Sequence, residues 1–309
     1  MPRLLVLSVA AATLVGAVLL FTGVVRPDTT RTGIAVPPGA PLPLAQEPDP
    51  DEPPELDPAT PPMALAPPGG AIVQPGVVRI PKPKIDLNGA RRVGIQAGHW
   101  QTDDVPSEYG TRILTQTGAS WAGYNEVDIN LDIAERVARL LRAQGVQADV
   151  LPTTVPIGYL ADAFVALHAD SDGVGELSGF KLAHGSRRGP FEDALLRTIK
   201  DTYAGELDMG YDAEHITRNM TGYFAQNWSR YQHATSPFTP SVILEMGFIS
   251  NDGDLTMMVD HADRVAIAIA NGILKFLDDT PRSKLFAQDL LIPQAPIRQG
   301  QAPTPTTPP

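Results

Sequence analysis

The chain has no cysteine among its 309 residues. That excludes disulfides, thiolate metal ligands, cysteine nucleophiles and anchoring through a lipidated cysteine, and leaves the redox compartment open. Basic residues are in the minority: 24 Lys and Arg against 35 Asp and Glu give a formal net charge of −11. Polyanion binding rests on Lys and Arg neutralising phosphates, so no nucleic-acid partner is expected. Proline is scarce over one long stretch. Of 31 prolines, fifteen fall within residues 26–78 and only six within residues 91–278. The proline-poor stretch is long enough to bury one sizeable core, and a single domain of about 190 residues is expected there.

Residues 4–25 form an uncharged, mostly apolar run of 22 between Arg3 and Arg26. At about 1.5 Å per residue a helix of that length spans a hydrocarbon core of about 30 Å. It exceeds the roughly 7–15 residues of a signal-peptide core, and no small-x-small cleavage site follows at once. Residues 1–25 are therefore read as a membrane anchor, with a cleaved signal as the alternative. Either puts the domain outside the cytoplasm, in the cell envelope. Residues 26–78, Pro-rich and acidic, cannot bury a core and read as a disordered linker. In polyproline II conformation it could reach roughly 160 Å. Residues 281–309 read as a second Pro-rich tail, which leaves residues 79–280 for the domain.

Within the domain, apolar runs alternate with helical patterns. "RRVGIQAG", "VQADVL", "DAFVALHA", "GFKLAHG" and "SVILEMGF" read as strands. "VDINLDIAERVARLLRAQG" carries apolar residues at three- to four-residue spacing and stops at Gly145; "PFEDALLRTIKDTYAGE" and "ADRVAIAIANGILKFL" read as further helices. The alternation predicts an α/β domain with a mixed, largely parallel sheet flanked by helices, its site beyond the carboxyl ends of the strands.

Three predicted strands end in groups suited to a metal hydrolase. His99 follows "VGIQAG", His168 ends "AFVAL", and Glu245 interrupts "SVILEMGF"; Glu126 opens the first helix. Catalytic zinc takes three N/O ligands and keeps a fourth position open, and two His with one Glu is an attested set. His99, Glu126 and His168 supply those ligand types, leaving Glu245 as general base and acid. Each residue also has an ordinary explanation. A strand-end histidine can bond a neighbouring loop, Asn125 and Glu126 look like a plain helix start, and Asp170 before Ser171 suits a turn. Glu245 is hardest to explain that way, because an unpaired carboxylate inside an apolar strand is costly.

The segments "VGIQAGHW", "EVDINLDIAERVARLLRAQG", "AFVALHADS" and "SVILEMGFISNDGDLTMM" resemble, in order and spacing, the zinc-dependent N-acetylmuramoyl-L-alanine amidases of amidase type 3. The resemblance implies zinc on His99, Glu126 and His168, catalysis by Glu245, and peptidoglycan as substrate. A monomeric catalytic domain is expected, with the membrane met only through the N-terminal segment. The chain departs from the family in having Gln96 where an aspartate is usual, a position that can orient the ligand histidine. "LPTTVPIGYLADAF" replaces a Thr-Arg motif and the helix after it. In "HITRNMTGYFAQN", Arg218 is a candidate for gripping a stem-peptide carboxylate. Two other readings stay open: a zinc peptidase cutting within the stem peptide, and a wall-binding module without turnover.

Overall fold

The computed structural model describes residues 72–74, 77–186 and 189–293. The expected anchor, most of the expected linker and the end of the tail lie outside the described residues. Among the described residues, no helix is long and apolar enough to cross a membrane.

Strands β1 (Ile72–Gln74) and β2 (Val77–Ile80) precede β3 (Arg92–Ala97). A short hairpin of β4 (Ser120–Trp121) and β5 (Tyr124–Asn125) runs directly into α1 (Glu126–Ala143). Then come β6 (Gln147–Leu151), β7 (Ala163–Asp170), β8 (Lys181–Ala183), α2 (Glu192–Leu207), α3 (Arg218–Thr221) and β9 (Ser241–Phe248). Helices α4 (Asp252–Val259), α5 (Ala262–Asp279) and α6 (Arg282–Phe286) and strand β10 (Leu290–Pro293) complete the order. Five strands form the central sheet, β6-β3-β7-β9-β8, parallel except for β8. The mixed, largely parallel α/β domain expected from the alternating pattern is present.

Side chains alternate between the two faces of a strand, and the two faces of this sheet are covered differently. Val93, Ile95, Val165, Leu167, Val242 and Leu244 pack with residues of α1, α2 and α5 in one core. Phe164, Ala166 and Ile243 face the other way, into a smaller core with Tyr159, Met220 and Ala225 from irregular segments and α3. Each large apolar side chain buried in this way contributes about 1.5–3 kcal/mol. The same parity puts Gln96, His168, Glu245 and Lys181 on the face away from the three long helices. Strand register aligns His168 with Glu245, and Glu245 with Lys181, in one row. Helices α2 and α5 meet closely at Gly272, where an added Cβ would lie 2.7 Å from Ile199 Cα.

The ordered chain continues past the boundary expected at residue 280. Leu285 and Phe286 of α6 are buried, and β10 pairs antiparallel with β2. Arg282 and Arg91 both reach the fully buried carboxylate of Asp162, at 3.1 and 3.0 Å. Pro281 precedes a helix start here. Pro is well placed at such a position because its missing N–H has no helical partner to lose, so its presence did not mark the end of the fold.

Candidate metal centre

β3 ends at Ala97, and the next residue continues the ladder, Gly98 N donating to Leu167 O at 2.9 Å. Gly98 lies directly over the His168 ring: a Cβ there would be 2.3 Å from His168 Cε1. His99 follows in the left-handed region, φ 63°, uncommon for a residue with a side chain. Its Nδ1 is 2.8 Å from the Gln116 carbonyl. A carbonyl only accepts, so Nδ1 carries the hydrogen and Nε2 presents a lone pair. That Nε2 lies 3.3 Å from Glu126 Oε1.

Glu126 opens α1 but is not the exposed first-turn acid that its position suggests. It is buried, Oε2 accepting from Ala119 N (2.9 Å) and Oε1 from Ala169 N and Asn130 Nδ2 (both 3.2 Å). Asn125 makes no capping bond with its side chain, which reaches Asp128 instead. Gly118, at φ 85°, leaves room for the arrangement, since a Cβ there would lie 3.1 Å from Glu126 Oε2 and 3.2 Å from His99 Cδ2. Burial alone would raise the Glu126 pKa. The two imidazoles of His168 and His99 facing it outweigh burial and hold the carboxyl well below its ordinary range.

His168, buried on β7, sets Nδ1 3.1 Å from the same Glu126 Oε1 and Nε2 3.1 Å from the Tyr223 hydroxyl. Burial lowers its pKa despite Glu126, so it is neutral near pH 7. For His99 the balance reverses: burial opposes, but the bond that its protonated ring would make to Glu126 raises the pKa overall. The donor atoms of His99, Glu126 and His168 all lie within 4.8 Å of one another. Imidazole nitrogens facing one carboxylate oxygen, with the His99 hydrogen turned away on a carbonyl, attract a cation, and the donor set suits zinc.

Glu245 stands beside His168 in register on the neighbouring strand. Burial first, then the charge of Glu126, push its pKa up to about 8, while Lys181 pulls it back. Lys181, fully buried on β8, is ion-paired with Asp170 and lies 4.9 Å from the Phe248 ring centroid. Asp170 is the last residue of β7 and not the turn residue expected there; its carboxylate also accepts from Ser171 N. Arg218, in α3, is exposed. His215 and His233 pair with Asp212 and Glu108. The structure thus gathers His99, Glu126 and His168 with Glu245 alongside, and leaves Arg218 at the surface. Asn130, Gln116, Tyr223 and Lys181 are the participants that sequence reasoning missed. Two of them carried a local signal: Asn130, a polar residue one turn after Glu126 on the buried side of an amphipathic helix, and Lys181, a charge inside an apolar strand.

A family model described as N-acetylmuramoyl-L-alanine amidase matches residues 157–275. The match includes His168 and Glu245 and supports the resemblance carried by the motifs; His99 and Glu126 precede it and join the site through the fold. No curated protein matches the chain. Among solved structures, similarity is found to the N-acetylmuramyl-L-alanine amidase Ami1 of Mycobacterium smegmatis, at 22% identity, TM-score 0.49, covering 63% of this chain and 100% of that one. Ami1 of Mycobacterium abscessus is similar at 22% identity, TM-score 0.47, with 60% and 98% covered. The amidase AmiC2 of Nostoc punctiforme is similar at 23% identity, TM-score 0.42, with 62% and 99% covered.

Proposed function

We propose that this chain, whose residues 157–275 carry the sequence of the N-acetylmuramoyl-L-alanine amidase family, hydrolyses the amide between N-acetylmuramic acid and the L-alanine of peptidoglycan stem peptides. The observation that carries the reading is the convergence of His99, Glu126 and His168 donor atoms within 4.8 Å, with Glu245 next to His168. Zinc held by these three residues would supply a Lewis acid for the scissile carbonyl and the attacking water. Glu245 takes a proton from that water and returns it to the alanine nitrogen as the C–N bond breaks and the water oxygen joins the lactyl carbonyl carbon. A carboxyl whose pKa burial moves toward neutrality suits both halves of that task. Arg218, exposed beside the segment carrying Tyr223, is assigned to a stem-peptide carboxylate.

Such a substrate lies outside the cytoplasm, in keeping with residues 1–25 as an anchor or export signal. A metal set accompanied by a poised carboxyl favours turnover over a wall-binding role. The test is hydrolysis of a synthetic N-acetylmuramoyl-L-alanyl peptide by wild type, a chelated sample and Glu245→Gln. Wild type should release a new amine, chelation should abolish it, and Glu245→Gln should bind zinc yet lose about 10²–10⁴-fold in rate. Hydrolysis by Glu245→Gln at the wild-type rate would remove Glu245 from the mechanism.

A further inference from the structure

Gln96 occupies the strand position where the family usually carries an aspartate, and it is completely buried. Its Nε2 donates to two carbonyls, Thr153 O at 2.7 Å and Pro152 O at 3.2 Å. Those contacts fix the amide, since exchanging its ends would set three carbonyl-type oxygens against one another. Oε1 therefore faces Tyr223 and accepts its phenolic hydrogen at 2.8 Å. A phenol has one hydrogen. With that hydrogen committed to Gln96, the Tyr223 oxygen can only accept from His168 Nε2, 3.1 Å away. The imidazole must then carry its hydrogen on Nε2 and present a bare Nδ1 toward Glu126 Oε1.

Left alone, the opposite tautomer would be preferred, because Nδ1–H could donate to the Glu126 carboxylate, a charge-assisted bond. That tautomer leaves Nδ1 without a lone pair for a metal. We infer that Gln96 and Tyr223 are positioning residues that hold His168 in the Nε2–H tautomer and so set the affinity of the centre for zinc. The inference rests on the metal-site reading above. It gives a physical role to the replacement at position 96: a neutral amide, locked by two main-chain carbonyls, acts on the ligand histidine through a tyrosine. His99 needs no such relay, because the Gln116 carbonyl touches its Nδ1 directly.

The experiment uses the full-length chain, ¹⁵N-labelled at histidine and freed of metal, with the His168 signals assigned by comparison with His168→Asn. Imidazole ¹⁵N shifts report the tautomer near pH 7, and competition with a chromophoric chelator reports the zinc Kd. Wild type should show Nε2–H. In Tyr223→Phe and Gln96→Met the population should move toward Nδ1–H, with the Kd rising about 10- to 100-fold while circular dichroism and melting remain those of a folded protein. An Nδ1–H tautomer in wild type overturns the inference. So does a folded Tyr223→Phe with wild-type tautomer and a Kd within about twofold; if Tyr223→Phe does not fold, Gln96→Met decides on the same criteria. A wild-type protein that binds no zinc would defeat the metal reading, while the tautomer shift would still decide the relay.

Discussion

Gly98→Ala tests whether the centre is held as tightly as its geometry implies. The new Cβ would lie 2.3 Å from Cε1, 2.4 Å from Nε2 and 2.6 Å from Nδ1 of His168, where ordinary contact begins at 3.4 Å. The ring would have to retreat by about 1 Å. It has little freedom to do so, with Glu126 Oε1 3.1 Å from one nitrogen and Tyr223 3.1 Å from the other. Metal–ligand distances tolerate about 0.2 Å, so a displacement of that size removes His168 from the ligand set. Zinc affinity should fall by at least about 100-fold, the upper end of what losing a ligand's supporting partner costs. Overpacking should also cost about 1–3 kcal/mol, a fall of roughly 2–4 °C in Tm per kcal/mol for a domain of this size. Chelator competition and a thermal melt on the same samples separate the two effects. A folded Gly98→Ala protein with wild-type zinc affinity would refute the reasoning.

Gly272→Ala is the natural control, because its Cβ would meet Ile199 Cα at 2.7 Å between α2 and α5, far along the chain from the ligands. It should cost about 1–3 kcal/mol in urea unfolding with zinc binding unchanged; a neutral or stabilising result would contradict the close helix approach. Asp162→Ala leaves Arg91 and Arg282 facing each other without their shared carboxylate. A loss of about 3–5 kcal/mol is expected, and one below about 1 kcal/mol would show that the ion pairs do not secure α6. Glu108 accepts N–H bonds from Gln232 and His233 and faces His233 Nδ1. Burial opposes these bonds, yet the Glu108 pKa is lowered overall. A carboxylate held low stabilises the fold above its unfolded value of about 4.3 and loses that contribution as pH falls through the folded value. Wild type and Glu108→Gln should therefore differ most in stability at neutral pH and converge in acid; a gap that widens below about pH 4 would reverse the assignment.

What could be read from the sequence follows from the range of the interactions involved. β3, β6, β7, β8, β9, α1, α2 and α5 are written in local periodicity, because each buries one face or both. Glu245 was legible for a related reason: a carboxylate inside an apolar strand violates the pattern around it. Glu126 was legible as a ligand type but not separable from a plain helix start without the family resemblance, since an Asn-Glu pair there looks the same whether the acid faces water or turns inward. Lys181 breaks the apolar pattern as plainly as Glu245 does. Its meaning appears only when register sets it beside Glu245 and an ion pair ties it to Asp170. Gln116 and Tyr223 reach the histidines across 17 and 55 residues of chain, and no local pattern encodes such contacts. The helix-start proline at 281 concealed α6 and β10.

The most direct test of the account is mass spectrometry of purified peptidoglycan digested with the full-length protein, beside Glu245→Ala and a chelated sample. The account predicts intact stem peptides with a free N-terminal L-alanine from wild type, absent from both controls. Shortened stems still attached to muramic acid would make the protein a peptidase. A folded protein that binds the wall and releases nothing would show that the site does not turn over.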